Sequence, residues 1–263
     1  MSARTRLVAV AALVLFVGTG VALAQPQSGI VRPTFEPSAP SVQLGAELYA
    51  GNCATCHGID GSGVSTPRRG AGGVLGAGPP LRRVGALAPD LYLRLGYMPL
   101  SSIHSEPESE RVLLSDKEIR SLVAYVASLG AGPGIPHPAP STGGISEGVH
   151  LFSEHCAGCH QVLARGGFVT GARVPPLQTV SPTQIAEAVR VGPYLMPRFS
   201  AGEISDSQLN SIIKYILSTR HPDNRGGWGI GNIGPIPEGL VAWWIAAPFL
   251  LFTCRVLAKR FRG

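Results

Sequence analysis

Lysine is nearly absent from this chain, occurring only at Lys117, Lys214 and Lys259 in 263 residues. Arginine therefore carries almost all of the formal +6 charge, and much of the excess sits at the two ends, beside apolar runs. A nucleic-acid footprint would spread basic side chains over a face or a stripe. No RNA- or DNA-binding motif is present, so the charge excludes nucleic acid as a partner and reads as membrane topology. Aromatic residues (6%) and charged residues (14%) are also sparse, while Gly (34) and Pro (23) abound. That balance argues against one large sheet core and for small, loop-rich modules. Methionine is as rare as lysine: Met1, Met98 and Met196 are the whole set. Of five cysteines, Cys254 lies in an apolar run and reads as a small hydrophobe; the other four form two close pairs.

The two ends together place the chain between them outside the cytoplasm. Arg4 and Arg6 precede an apolar run from Leu7 to Leu23, followed by Ala22-Leu23-Ala24 before Gln25. Residues 1–26 fit a cleaved secretory signal peptide or, as the competing reading, a retained N-terminal membrane anchor. Leu240 to Ala258 forms a second apolar run, with Trp243 and Trp244 near its start and Arg255, Lys259, Arg260 and Arg262 at its far end. Such a run nearly crosses a hydrocarbon core of about 30 Å. The basic cluster puts that end in the cytoplasm and the chain between the two runs outside it.

The middle of the chain is written twice. Setting Cys53 on Cys156 aligns Gly45 with Gly148, Leu48 with Leu151, Tyr49 with Phe152 and His57 with His160. Downstream, SDKEIRSLVAYV (115–126) aligns with SDSQLNSIIKYI (205–216). Ile119, Leu122, Val123 and Val126 make one apolar helical face, as do Leu209, Ile212, Ile213 and Ile216. Ser115 and Ser205 are N-cap candidates, and Glu118 completes a capping box in the first copy. Each copy also carries Pro-Pro-Leu (79–81; 175–177) and then Met-Pro (98–99; 196–197). Two mainly α modules are expected, at 41–130 and 145–221. A Gly/Pro linker at 131–144 joins them, and a second linker at 222–239 leads to a membrane helix at 240–258.

Each repeat contains Cys-x-x-Cys-His: Cys53, Cys56 and His57, then Cys156, Cys159 and His160. A redox dithiol of thioredoxin type would sit in a βαβ pattern, and none is visible. A zinc site needs four ligands, which the two copies would have to pool across a linker. A histidine directly after the second cysteine is the mark of c-type haem attachment: two thiols add to the vinyl groups on one porphyrin edge, and the adjacent imidazole reaches the iron. Two covalent haem c groups are therefore expected. Met98 and Met196, at matching places in a Met-poor chain, are the expected sixth ligands. His/Met ligation raises the haem potential and closes the iron to substrates, which favours electron transfer over catalysis. No catalytic residue is assigned. Carbonyls of Pro79 or Pro80, and of Pro175 or Pro176, could accept the ring N–H of His57 and His160; simple stiffening of the loop is the other reading of the prolines.

On these residues each module resembles the class I cytochrome c fold, in which a glycine and an aromatic precede the attachment motif on a first helix crossed by the last. Gly45 with Tyr49, and Gly148 with Phe152, fill those places; Leu122 with Tyr125, and Ile212 with Tyr215, match the last helix. The whole order, with GGWGIGNIGPIPEGLVAWW (226–244) leading into the terminal helix, resembles the dihaem cytochrome cc subunit of the actinobacterial cytochrome bc complex. That resemblance implies a quinol–cytochrome c reductase with menaquinol as electron source. Its partners would be a cytochrome b subunit, a Rieske iron–sulfur subunit and a terminal cytochrome c oxidase. It also implies that the first module receives electrons and the second delivers them. A free-standing, membrane-anchored dihaem carrier for another extracytoplasmic reductase is the alternative. The acidic stretch HSEPESE (104–110) is peculiar to the first module and reads as a solvated loop or a partner contact.

Overall fold

The computed structural model describes residues 29–69, 75–100, 111–169, 171–221 and 235–261. The N-terminal apolar run, the acidic stretch 104–110, most of the second linker and Arg262 lie outside the described residues.

In the first repeat, α1 (Val42–Asn52) starts at Ser41, whose hydroxyl accepts from the Leu44 amide. Next come the single turn α2 (Ala54–His57), strands β1 (Val64–Arg69) and β2 (Leu75–Gly78), α3 (Leu87–Arg94) and α4 (Asp116–Ser128). The second repeat runs α5 (Ile145–His155), α6 (Ala157–His160), β3 (Gly167–Val169), β4 (Ala172–Val174), α7 (Pro182–Val191) and α8 (Asp206–Ser218). The architecture is mainly α, as expected. The small antiparallel hairpins β1–β2 and β3–β4 were not legible in Gly-rich sequence with no alternating apolar pattern.

The first and last helices of each repeat cross at a glycine. A Cβ on Gly45 would collide with the Ser121 carbonyl oxygen, and one on Gly148 with that of Ser211. Without side chains there, the backbones close up and seal Leu44, Leu48 and Tyr49 against Ile119, Leu122, Val123 and Val126. Burial of each such aliphatic side chain contributes about 1.5–3 kcal/mol. In the second repeat, Phe152, Leu209, Ile212, Ile213 and Ile216 are the equivalent buried residues. The seam is locked by a matching bond in each copy: the Ser41 amide donates to Ser121 Oγ (3.1 Å), and the Gly144 amide to Ser211 Oγ (3.0 Å).

The expected capping box at Ser115 and Glu118 is present. The second copy has one too, since Gln208 Oε1 accepts from the Ser205 amide (2.9 Å) and Ser205 Oγ from the Gln208 amide (3.3 Å). Residues 131–144, read as a linker, are docked at both ends. The Pro133 carbonyl accepts from the amides of Ala86 and Leu87 at the start of α3, and Ile135 packs on the first core. The Ala139 amide donates to Asn210 Oδ1 (2.8 Å), and Lys214 Nζ to the Gly143 carbonyl (2.6 Å). A Gly/Pro-rich composition suggested freedom, but backbone groups, invisible to composition, make these bonds.

A second compact unit begins at Leu217. Its helix α9 (Pro235–Arg260) includes a 23-residue stretch, Glu238–Arg260, long and apolar enough to cross a membrane. Trp243 and Trp244 are 72% and 78% exposed there.

Candidate haem sites

In each copy one helical turn carries the whole attachment motif. The His57 amide donates to the Cys53 carbonyl (2.9 Å) and the His160 amide to that of Cys156 (2.9 Å), and the amides of Cys56 and Cys159 share the same carbonyls at 3.1 Å each. The four thiols are free. Burial, with a smaller contribution from the neighbouring cysteine, pushes the Cys53 thiol up to about 12 and the Cys156 thiol up to about 11. Both thiols are thus held in the neutral form, and in the second copy the partner Cys159 is exposed.

Both histidines are oriented in the same way. His57 Nδ1 lies 2.8 Å from the Pro79 carbonyl oxygen, and His160 Nδ1 lies 3.3 Å from that of Pro175. A carbonyl only accepts, so the proton sits on Nδ1 and Nε2 keeps its lone pair for a metal. Of each expected proline pair, the first member supplies the oxygen. Burial also lowers the His160 pKa, with the Pro175 bond acting in the opposite direction, and this favours the neutral imidazole. The chain beyond each histidine turns back alike: the Gly63 amide reaches the His57 carbonyl (2.8 Å) and the Gly166 amide that of His160 (3.0 Å). In the first copy, β2 lies directly on the ring. A Cβ on Gly78 would sit 3.1 Å from His57 Cε1.

Met98 and Met196 are half-buried, each a few residues beyond a short helix, α3 or α7. The Met98 amide bonds back to the Tyr92 carbonyl (3.2 Å), and its side chain packs on the first core. The Met196 amide bonds to the Pro193 carbonyl (3.0 Å). The residues present fit a c-type haem: free paired thiols on the turn, an imidazole with a free Nε2, and a thioether on a separate loop.

Two functional hydroxyls escaped the sequence reading. Tyr49 donates to the Gly58 carbonyl (2.8 Å), and Tyr215 to the Val162 carbonyl (2.6 Å). They come from opposite helices of the two modules, yet each pins the segment just after the motif histidine. The exchange of Tyr49 for Phe152 between copies was the available signal.

Fold and repeated site together define a protein of two cytochrome c domains, a class whose domains carry covalently bound haem c. The cytochrome c family profile matches residues 42–130, and the profile described as cytochrome c oxidase, cbb3-type, subunit III matches residues 143–216. Over most of its length the chain is a homologue of proteins named cytochrome bc1 complex cytochrome c subunit. It is 28% identical to the one from Corynebacterium diphtheriae, over 83% of this chain and 81% of that protein. It is also 28% identical to the one from Mycobacterium tuberculosis, over 89% of this chain and 83% of that protein. A cbb3-type cytochrome c oxidase subunit FixP from Sinorhizobium medicae is 25% identical over 58% of this chain and 49% of its own. The protein is accordingly an electron-transfer cytochrome c related to subunits of an oxidoreductase complex.

Proposed function

We propose that this chain is the membrane-anchored dihaem subunit of a quinol–cytochrome c reductase. It takes electrons from a Rieske iron–sulfur protein beside a cytochrome b subunit and passes them to a terminal oxidase. The observation that carries the reading is the repetition of the site, down to the proline carbonyl on each imidazole Nδ1, in a chain similar to bc1-complex cytochrome c subunits over most of its length. Haem c, when bound, supplies a one-electron Fe(III)/Fe(II) couple. Cys53 and Cys56, and Cys156 and Cys159, hold one group each through thioethers. His57 and His160 would donate to the iron through Nε2, and Met98 and Met196 would supply the thioether ligands, a set that would raise the potential and keep substrates off the iron. α9 anchors the chain, with Arg255, Lys259 and Arg260 on the cytoplasmic side and both modules outside. The match of residues 143–216 to an oxidase-subunit profile favours the second module as the exit.

Three measurements test this. A pyridine haemochrome assay on acid-acetone-extracted protein should count two covalent haems per chain, and a count of one or none rejects the dihaem assignment. Tagged chain extracted from membranes in mild detergent should bring down a cytochrome b. Recovery of the dihaem chain alone would leave it a free-standing carrier. Replacing Met98 or Met196 by His should lower the potential of one haem in each variant.

A further inference from the structure

The two modules meet where α3 lies against α7, and the contact buries carboxyl groups from both sides. Asp90, on α3, is 4% exposed, and Glu187, on α7, is 0% exposed. Asp90 is gripped by Arg94, whose Nε lies 3.0 and 2.9 Å from its two oxygens. Arg94 spends its other arm on Asp116 (2.8 Å), which also binds Arg120 (2.9 Å). Glu187 has no such support. Among the described residues neither of its buried oxygens has a donor in hydrogen-bonding geometry, and the Asp90 carboxyl lies close enough to act on it.

Among the described residues the cation whose charge reaches Glu187 is Arg94, which favours ionisation but is already bonded to Asp90 and Asp116. On its own helix, Arg190 bonds Asp206 (2.7 Å) and the carbonyls of Phe199 and Ser200. On α8, Lys214 is committed to the carbonyls of Ser141 and Gly143. The adjoining groove of about 710 Å³ is lined by Arg120 of α4 and His137 of the 131–144 segment, together with Asp90 and Arg94. A buried carboxylate with no donor and a second carboxylate beside it cannot stay ionised. Burial first, and the Asp90 charge second, push the Glu187 carboxyl up to about 8.

We propose that Asp90 and Glu187 form a one-proton latch between the two modules: a single proton held between their carboxyls closes the α3–α7 contact, and its loss opens it. This stands apart from the haem assignment, because neither residue belongs to the attachment sites. In the closed state Glu187 is an acid whose O–H can point at Asp90. Once that proton leaves, two carboxylates share one guanidinium out of water. Opening returns Glu187 to solvent and to an ordinary carboxylate pKa, so the closed state binds one more proton than the open one. The sign follows: the closed-to-open ratio falls by about tenfold per pH unit as pH rises toward the raised pKa, and it levels off above it.

The test is amide hydrogen exchange on the full-length haem-loaded protein in detergent, from about pH 6 to about pH 9, corrected for intrinsic exchange, with α1 as internal reference. Protection of α3 and α7 should fall relative to α1 as pH rises. Glu187→Gln keeps a donor toward Asp90 but cannot titrate, so its protection should stay flat at the closed level. Asp90→Asn frees Arg94 for Glu187 and should keep the contact protected at the alkaline end, which gives a readout should the Gln variant not fold. Protection that is independent of pH in the unaltered protein, or that falls alike in either variant, overturns the latch.

Discussion

The two modules reach the same site by different means. In the first, the hydroxyl behind the motif histidine comes from α1, as Tyr49; in the second, α5 carries Phe152 and the hydroxyl comes from α8, as Tyr215. The ring pair is retained in both, with centroids 5.1 Å apart for Tyr49–Tyr125 and 5.2 Å for Phe152–Tyr215. The start of the last helix differs as well. Glu118 is 2% exposed and serves at once as a capping residue and as the partner of Arg32 (2.7 Å) from the segment before α1. Gln208, its counterpart, caps without charge. Asn52 holds Val31 of the same segment through both its amide and its carbonyl (2.8 Å each). What the repeat preserves is a hydroxyl bonded to the stretch just after the motif histidine, at Gly58 in one copy and Val162 in the other, not the residue that makes the bond.

The largest test of this equivalence is at the helix crossings. Gly45→Val and Gly148→Val each force a side chain into a serine carbonyl and should each cost about 3 kcal/mol, measured by denaturant unfolding of the separate variants. A large cost in one module and a small one in the other would break the parallel.

Arg32→Ala should affect the first module alone, by roughly 1.5 kcal/mol, after allowing for the half-exposed guanidinium. Burial raises the Glu118 pKa, but Arg32 and the Ser115 donors outweigh it and hold the carboxyl below its ordinary range. Stability from the pair is therefore present above that range and is lost as pH falls through it. The gap between variant and unaltered protein should close in acid; a constant gap would assign the loss to packing.

Tyr49→Phe and Tyr215→Phe should each cost about 1 kcal/mol, with matching small changes in the potential of one haem. A loss from Tyr49 with none from Tyr215 would make the swap a difference rather than an exchange. Smallest of all, Pro79→Ala and Pro175→Ala keep the carbonyl that holds each imidazole. They should cost roughly 0.5–1 kcal/mol through chain freedom and leave the potentials in place. A shifted potential would mean that stiffness, rather than the oxygen, sets the ring.

Much of this was legible in the sequence wherever side-chain identity or period carries the information. The paired motifs, the glycine crossings, the apolar faces of α4 and α8 and the box at Ser115–Glu118 all read directly. So did the terminal apolar helix. The hairpins did not, because GAGGVLGAG offers no alternation to read. Nor did the docked 131–144 segment or the choice of Pro79 over Pro80, which rest on backbone carbonyls that any residue supplies. The meeting of Asp90 with Glu187 was also hidden. It joins residues far apart in sequence at non-equivalent places in the repeat, and only tertiary packing brings them together.

The 131–144 segment acts as a ruler. Pro133 and Ile135 fasten it to one module, and Ala139 and Gly143 fasten it to the other. Its length therefore cannot drift as loop lengths usually do. One residue added between Ile135 and Ala139 would put one set of fastenings out of step with the other. Gene-level insertions should thus be tolerated poorly in a stretch whose composition looks like spacer.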